Sequence, residues 1–256
     1  MTYCVALMTD EGLVFASDSR TNAGVDYVTT FSKMHVFNPA PDRVFVLLSA
    51  GNLATTQEVL NRINRDLETG APGPNLLNVT YMFEAAEYVG KIALAVQGDH
   101  GPALQASGVS ADTTLILGGQ ISGHESGLYQ IYPQGNYFAA TEETPYLQIG
   151  ENKYGKPILD RISRRAGTLA NGARLLLVSL DATSRSNAAV GPPFEVAMYA
   201  NDSFEIGNYF KLEADDPWLQ NLARQWNEGI TRAFFNLPRF PWEQAGPVGV
   251  VNNAGT

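Results

Sequence analysis

The chain has 256 residues, 45% of them hydrophobic, and a formal charge of -9 from 26 acidic and 17 basic side chains. This composition supports one sizeable core, and the acidic balance argues against nucleic acid or an anionic membrane as the main partner. The single cysteine excludes an intrachain disulfide, and the longest apolar run, residues 3–8, is too short for a signal peptide or a membrane span. We therefore expect a cytoplasmic protein with one domain over 1–256.

The pattern of apolar residues predicts that the N-terminal part of the chain forms strands, followed by two helices. Apolar runs closed by turn residues indicate strands at residues 2–9, 13–17, 34–37 and 43–49. The segment from Thr55 to Glu58 has the composition of a capping box and predicts a helix start, and the apolar stripe that follows extends to Leu67. A second helix is predicted from about residue 79 to residue 96.

The second half repeats this order of elements. It predicts strands at residues 113–118, 128–132, 137–140 and 146–149, helices at 153–163 and 169–180, and strands at 194–199 and 204–212. Asp216 followed by Pro217 is typical of a helix start and opens a C-terminal helix and tail, about 215–256. Helices grouped between blocks of strands favour an α+β fold, a four-layer αββα sandwich of two antiparallel sheets, over a parallel doubly wound sheet.

Thr2 is the first candidate catalytic residue. If Met1 is removed, Thr2 carries a hydroxyl and a free α-amine on one residue. A hydroxyl nucleophile needs a base beside it, and a terminal amine titrates near about 7.7–8.0, so part of it is neutral at cell pH. Many ordinary chains also begin Met-Thr, so Thr2 alone does not identify a hydrolase.

Three further segments complete the pattern. A strand ends in Asp18-Ser19-Arg20, Lys33 opens the next strand, and Asp181 is followed three residues later by Ser184. Together with Thr2, and with Ser49-Ala50-Gly51 before the first helix, they make the chain resemble the proteasome β-subunit family in its Anbu-like bacterial branch. The resemblance covers nearly the whole chain and implies an N-terminal nucleophile hydrolase fold.

The resemblance also implies a reaction. Thr2 Oγ1 would attack a peptide carbonyl, with the Thr2 amine as general base and then as acid. Lys33 would favour the neutral amine and stabilise charge on oxygen, and Asp18 would hold Lys33 in place. The resemblance thus predicts a threonine-type endopeptidase that acts on peptides or unfolded proteins and assembles into a homo-oligomer, with no cofactor and no metal.

Supporting roles follow from the same resemblance. Asp181 and Ser184 would hydrogen-bond around the terminal amine, and the Gly51 amide would bind the oxyanion. Arg20 would buttress the Asp18 region. Where many family members carry a Gly-Ser-Gly serine, this chain has Glu151, whose charge near Thr2 would favour the protonated amine unless it points into solvent.

Each of these residues also has an ordinary structural explanation. Asp18 and Arg20 could form a turn ion pair, Lys33 could be a solvated edge-strand lysine, and Gly51 could mark a strand-to-helix turn. Asp181 and Ser184 could be helix-end and turn residues. Two alternative functions therefore stay open: an amidase of the same class acting on a small amide, and a non-catalytic assembly subunit. The sequence indicates neither the substrate nor any unfoldase partner.

Overall fold

The computed structural model of the chain describes residues 2–22, 28–164 and 167–244. Met1 and residues 245–256 of the predicted tail lie outside these ranges. Within them, no helix combines the length and the apolar character that crossing a membrane requires.

Strands and helices follow the predicted order. The strands are β1 (Tyr3–Thr9), β2 (Gly12–Asp18), β3 (Arg20–Asn22), β4 (Val28–Thr30), β5 (Met34–Ala40), β6 (Arg43–Gly51), β7 (Thr113–Ile121), β8 (Gly127–Ile131), β9 (Tyr137–Ala139), β10 (Tyr146–Gly150), β11 (Phe194–Ala200) and β12 (Ile206–Leu212). The helices are α1 (Leu53–Thr69), α2 (Met82–Ala106), α3 (Lys156–Ile162), α4 (Leu169–Ser186), α5 (Pro217–Phe235) and α6 (Pro241–Gln244).

Two five-stranded sheets form the centre of the molecule. The first has the order β10-β1-β2-β11-β12 and the second the order β5-β6-β7-β8-β9, and every pair of neighbours is antiparallel. A small hairpin of β3 and β4 lies between β2 and β5 in the chain. Because β5 is an edge strand, one side of its backbone faces away from the second sheet.

Three clusters of buried side chains hold the layers together. One lies between the two sheets and includes Phe15, Leu48 and Ile116. A second joins α1 and α2 to the outer face of the second sheet, and a third joins α3, α4 and α5 to the outer face of the first sheet. Alternate residues of β1 and of β6 enter two different clusters, so both strands are covered on both faces. This agrees with their uninterrupted apolar sequences. The four-layer αββα prediction is therefore confirmed.

The helix starts are partly as predicted. Asp216 caps α5, its side chain accepting hydrogen bonds from the amides of Trp218 and Leu219. The capping box at Thr55 is wrong: α1 begins at Leu53, and the side chain of Asn52 accepts from the Thr55 amide. Asn52, a short polar residue three positions earlier, provides the cap instead, so the helix begins almost one turn earlier than predicted.

Several elements extend beyond the predicted bounds. Helix α2 reaches Ala106, ten residues past the prediction, and keeps Pro102 inside it. Strand β5 continues through Asn38 and Pro39, which an edge position tolerates. Helix α4 continues to Ser186 rather than ending at Leu180, and this difference changes the composition of the candidate site.

Candidate active site

Thr2 lies immediately before β1, where the first sheet meets the end of β10. Its carbonyl oxygen accepts a hydrogen bond from the Glu151 amide at 2.7 Å. Gly150 makes this close approach possible, because it has φ +83° and a Cβ there would lie 2.0 Å from the Thr2 oxygen. Thr2 is therefore held by the backbone of a neighbouring strand end and is half-buried.

Asp18 and Lys33 form a buried ion pair next to Thr2. Lys33 Nζ donates to Asp18 Oδ1 at 2.6 Å and to the Arg20 carbonyl oxygen at 2.7 Å. Asp18 Oδ1 also accepts from the amide of Tyr3, one residue past Thr2, at 2.9 Å. Burial raises the pKa of Asp18 and the Lys33 ammonium opposes that rise. Asp18 and Lys33 therefore lie together, as predicted, and the Tyr3 amide connects the pair to the residue that follows Thr2.

Thr2 opens into a cavity of about 740 Å³ between β5, the end of β6 and α1. Lys33, Ser49 and Gly51 line the cavity near Thr2, and it extends along α1 as far as Asn64. None of the described residues that line it is acidic. Thr2, at the start of the first sheet, thus faces a groove built mainly by β5 and β6 of the second sheet and by α1.

The loop between α4 and β11 closes the other side of the ion pair. The Gly191 amide points at Asp18 Oδ2 at 3.4 Å, and Arg20 Nη1 donates to the Ala188 carbonyl at 2.8 Å. A Cβ at Gly191 would lie 2.4 Å from Arg20 Cζ, so the guanidinium packs directly on this glycine. Arg20 therefore holds the loop against Asp18, which is the buttressing position expected for it.

Glu151 does not point into solvent. It is 4% exposed, and Oε2 accepts from Asn187 Nδ2 at 3.0 Å. Oε1 accepts from the Lys153 amide at 3.3 Å, and Lys153 Nζ lies 3.9 Å away. A buried carboxylate held by Asn187 therefore lies on the residue whose amide binds Thr2, where the family pattern has a serine.

The structure does not bring Asp181 and Ser184 to Thr2. Both lie on the last two turns of α4, where Asp181 pairs with Arg185 at 2.8 Å and Ser184 Oγ donates to the Asp181 carbonyl. They line a separate cavity against α5. The prediction failed because α4 runs six residues further than expected, so the segment that reaches the site begins at Asn187.

Gly51 lies at the cavity wall near Thr2, at the end of β6. Its φ is +126°, and a Cβ there would meet the Asp112 carbonyl oxygen at 2.3 Å. The glycine is therefore required by the fold itself. Its place at the cavity leaves its amide a candidate for binding a substrate oxygen.

Sequence reasoning missed Asn187 and the loop that follows it. The signal was present, because Asn187 and Gly191-Pro192-Pro193 are strong helix-stopping residues and no such signal occurs at Leu180. Elsewhere in the described ranges, no group of three or more His, Cys, Asp or Glu side chains is placed to hold a metal ion.

His35 lines the same cavity on β5. Burial lowers its pKa from 6.5, and the Glu195 carboxylate opposes that change. The unfolded chain then binds the proton more readily than the native one, so stability falls as pH drops below about 6.5. We expect His35→Gln to reduce the loss of unfolding free energy between pH 7.5 and pH 5.5, measured by urea titration; an equal loss in both proteins would contradict this.

The two antiparallel sheets, the helical layers outside them and the cavity in front of Thr2 define a proteasome β-type subunit with the N-terminal nucleophile hydrolase fold. No protein-family model and no curated protein matches the chain. Solved structures do, and they show that the chain belongs to the Anbu family of bacterial proteasome-like proteins.

Three of these structures are similar over nearly their full length. The Anbu (Gly-1) mutant from Hyphomicrobium sp. strain MC1 is 42% identical with a TM-score of 0.87, covering 94% of this chain and 99% of its own. The Anbu ancestral beta-subunit from Yersinia bercovieri is 43% identical with a TM-score of 0.85, covering 93% and 99%. The Anbu complex from Pseudomonas aeruginosa, a helical assembly, is 41% identical with a TM-score of 0.87, covering 94% and 98%.

Proposed function

We propose that the protein is a threonine-type endopeptidase whose nucleophile is Thr2, freed by removal of Met1. The observation that carries the proposal is the place of Thr2 in a cavity whose wall holds Lys33, itself fixed by buried Asp18. A lone Met-Thr start would not need a buried ion pair behind it, because burying two charges is costly without a further role.

The reaction would proceed in two steps. Thr2 Oγ1 attacks the substrate carbonyl while the Thr2 amine takes its proton, and the amine then protonates the leaving nitrogen as the peptide bond breaks. Water next attacks the ester, with the amine again as base, and the product acid and the free hydroxyl are released. Lys33 favours the neutral amine, and the Gly51 amide is the candidate donor to the oxyanion.

The shape of the cavity favours a peptide over a small amide. From Leu53 to Asn64, α1 contributes about 16 Å of wall at 1.5 Å per residue. An extended peptide rises about 3.3 Å per residue, so roughly five residues fit along this wall. The absence of acidic residues among its described lining favours neutral side chains over lysine or arginine.

A non-catalytic assembly subunit remains the second candidate. The observation that favours it is the burial of Glu151, the residue whose amide binds the Thr2 carbonyl, because its negative charge would oppose loss of a proton from the Thr2 amine. In this alternative the cavity is only a consequence of the fold, and the protein acts as a structural subunit of an oligomer.

One experiment separates the two candidates. Intact mass first establishes whether purified, assembled protein lacks Met1, and a β-lactone or an epoxyketone is then added. We expect one adduct, mapped to Thr2 by peptide mass spectrometry, and hydrolysis of a peptide library. Failure of Met-free protein to form an adduct favours the scaffold, and turnover by protein that retains Met1 refutes the mechanism. Cleavage of small amides alone favours the amidase.

Glu151 gives a prediction about pH. Removing its charge in Glu151→Gln should let the Thr2 amine lose its proton more easily, so the acid limb of the labelling rate moves to lower pH by roughly one unit. Labelling rates from pH 5.5 to 9 measure the shift, and Glu151→Asp is the control that keeps the charge. An unmoved limb would show that the carboxylate does not act on the amine.

We also propose that the chain self-assembles. Its support is the helical assembly of the Pseudomonas aeruginosa Anbu complex and the row of exposed aromatic side chains near the C-terminal helices, such as Phe235 and Trp242. Light scattering with the mass of the native complex tests this proposal. Whether an unfoldase delivers substrate is a separate question for co-purification.

A further inference from the structure

Glu195 is a carboxylate enclosed between the two sheets. It lies on β11 and is 3% exposed, on the strand face shared with Ala197 and Tyr199 of the inter-sheet core. An enclosed carboxylate is costly unless it is well bonded. Among the described residues its bonding partners are hydroxyl groups: Ser32 Oγ donates to Oε2 at 2.6 Å, and the Tyr209 phenol lies beside it.

Ser32 connects this carboxylate to the backbone around Lys33. Its oxygen accepts a hydrogen bond from the Met34 amide at 3.3 Å, and it lies 2.9 Å from the Met34 carbonyl. A hydroxyl has one proton, and the short contact to the charged carboxylate takes it. Glu195 therefore orients Ser32 so that a lone pair faces the Met34 amide, which fixes the turn that carries Lys33.

The same turn is anchored on its other side. The Lys33 carbonyl accepts a hydrogen bond from the Ser49 amide at 3.0 Å, next to the cavity wall. The Lys33 side chain then reaches Asp18 and the Arg20 carbonyl. The position of the ammonium thus depends on a turn held by β6 on one side and by Glu195 of the other sheet.

We propose that Glu195 is a positioning residue that acts through the Ser32 hydroxyl to set the place of Lys33 beside Thr2. The inference rests on the proposed role of Lys33 in the reaction. It also gives a role to an acidic residue at a position where an apolar one would pack at less cost.

Other titratable groups face Glu195, and a test has to allow for them. Cys4 of β1 lies close enough to feel its charge, as does His35 of β5, and Tyr209 of β12 has its pKa raised to about 12 by burial and by Glu195. Lys211 is its register partner on β12. Because these groups would also respond to pH, the primary measurement is made at one pH and reports the turn itself.

The test uses hydrogen exchange by mass spectrometry on the assembled protein, followed at the Met34 and Ser49 amides. In Glu195→Leu and Ser32→Ala we expect exchange there to be about tenfold faster or more, since a hydrogen bond to a charged group is lost. Ser32→Thr keeps a hydroxyl and should restore slow exchange. Ser17→Ala is the matched control, because Ser17 is the β2 register partner of Glu195 and its buried hydroxyl makes no hydrogen bond among the described residues.

A second measurement links the turn to the reaction. The saturating rate of β-lactone labelling should fall about tenfold or more in Glu195→Leu, with the half-saturating concentration unchanged, and the melting temperature should not fall. The proposal would be overturned if the Met34 amide exchanged at the wild-type rate in both the Glu195→Leu and the Ser32→Ala proteins. If wild-type protein is not labelled at all, the proposed endopeptidase fails, and exchange still decides whether Glu195 sets the turn.

Discussion

Thr2→Ala, in protein shown to lack Met1, is expected to lose peptide hydrolysis by at least about 10³-fold, because the amine remains but the nucleophile is gone. Alanine is small enough for the same methionine removal, so both proteins carry a free terminus. Its methyl group also fits the site that the Glu151 amide and Gly150 form around residue 2. The variant should therefore fold and assemble normally.

Thr2→Ser is the matched comparison. Serine keeps the hydroxyl and the amine, so we expect hydrolysis within about tenfold of wild type and a β-lactone adduct on residue 2. Initial rates on a fluorogenic peptide and adduct mass measure both outcomes. An alanine variant that retains wild-type rates would show that another group performs the hydrolysis, and the mechanism through Thr2 would fall.

The resemblance to the proteasome β-subunit family predicted that Thr2, Asp18 and Lys33 lie together, and each of them lies at a strand boundary. An acid that ends β2 and a lysine that opens the next long strand have fixed positions once the strands are recognised. The sandwich itself was predicted from the order of elements, because helices grouped between blocks of strands favour two antiparallel sheets with helices outside them.

The remainder of the site depends on where one helix stops. The apolar periodicity of α4 does not decide whether the helix ends at Leu180, since both outcomes leave an apolar face on the first sheet, and the stop signals lie further on, at Asn187 and Gly191-Pro192-Pro193. The difference of six residues moves Asp181 and Ser184 to the α5 side and brings Asn187 to Glu151. Periodicity shows which face of a helix is buried but not where the helix ends, so the end has to be read from helix-stopping residues such as Asn187.

Glu195 was missed for a related reason. In the sequence of β11, Phe194, Val196 and Met198 alternate with other residues, as in a strand with one buried face. An isolated acid between such residues is normally assigned to the solvent face. The face is set instead by the register with β2, which pairs Glu195 with buried Ser17 and points both between the sheets. Register between strands about 180 residues apart cannot be inferred from either segment alone.

Lys33→Met is expected to have the second largest effect, because it removes the charge next to Thr2 and leaves Asp18 buried without its partner. Breaking a buried pair from one side costs about 3–5 kcal/mol of unfolding free energy. Loss of one electrostatic group at a reacting oxygen costs about 10²–10³-fold in rate. Urea denaturation and peptide hydrolysis measure the two effects separately.

The pH dependence of the stability loss identifies its cause. Burial already raises the pKa of Asp18 above its ordinary 3.8, and without Lys33 the opposing attraction disappears. An acid whose native pKa lies above its unfolded value is protonated more readily in the native state, so stability falls as pH rises between the two values. We therefore expect the Lys33→Met penalty to shrink on going from pH 7.5 to pH 5.

The double variant Lys33→Met/Asp18→Asn separates folding from chemistry. Asparagine is neutral and its oxygen can still accept from the Tyr3 amide, which Asp18 binds at 2.9 Å. We expect it to recover most of the roughly 3–5 kcal/mol lost by the single variant, since no buried charge remains uncompensated. Hydrolysis should not recover, because the ammonium is still missing. If activity returned with stability, Lys33 would be a structural residue, and the chemistry proposed for Thr2 would need another source of positive charge.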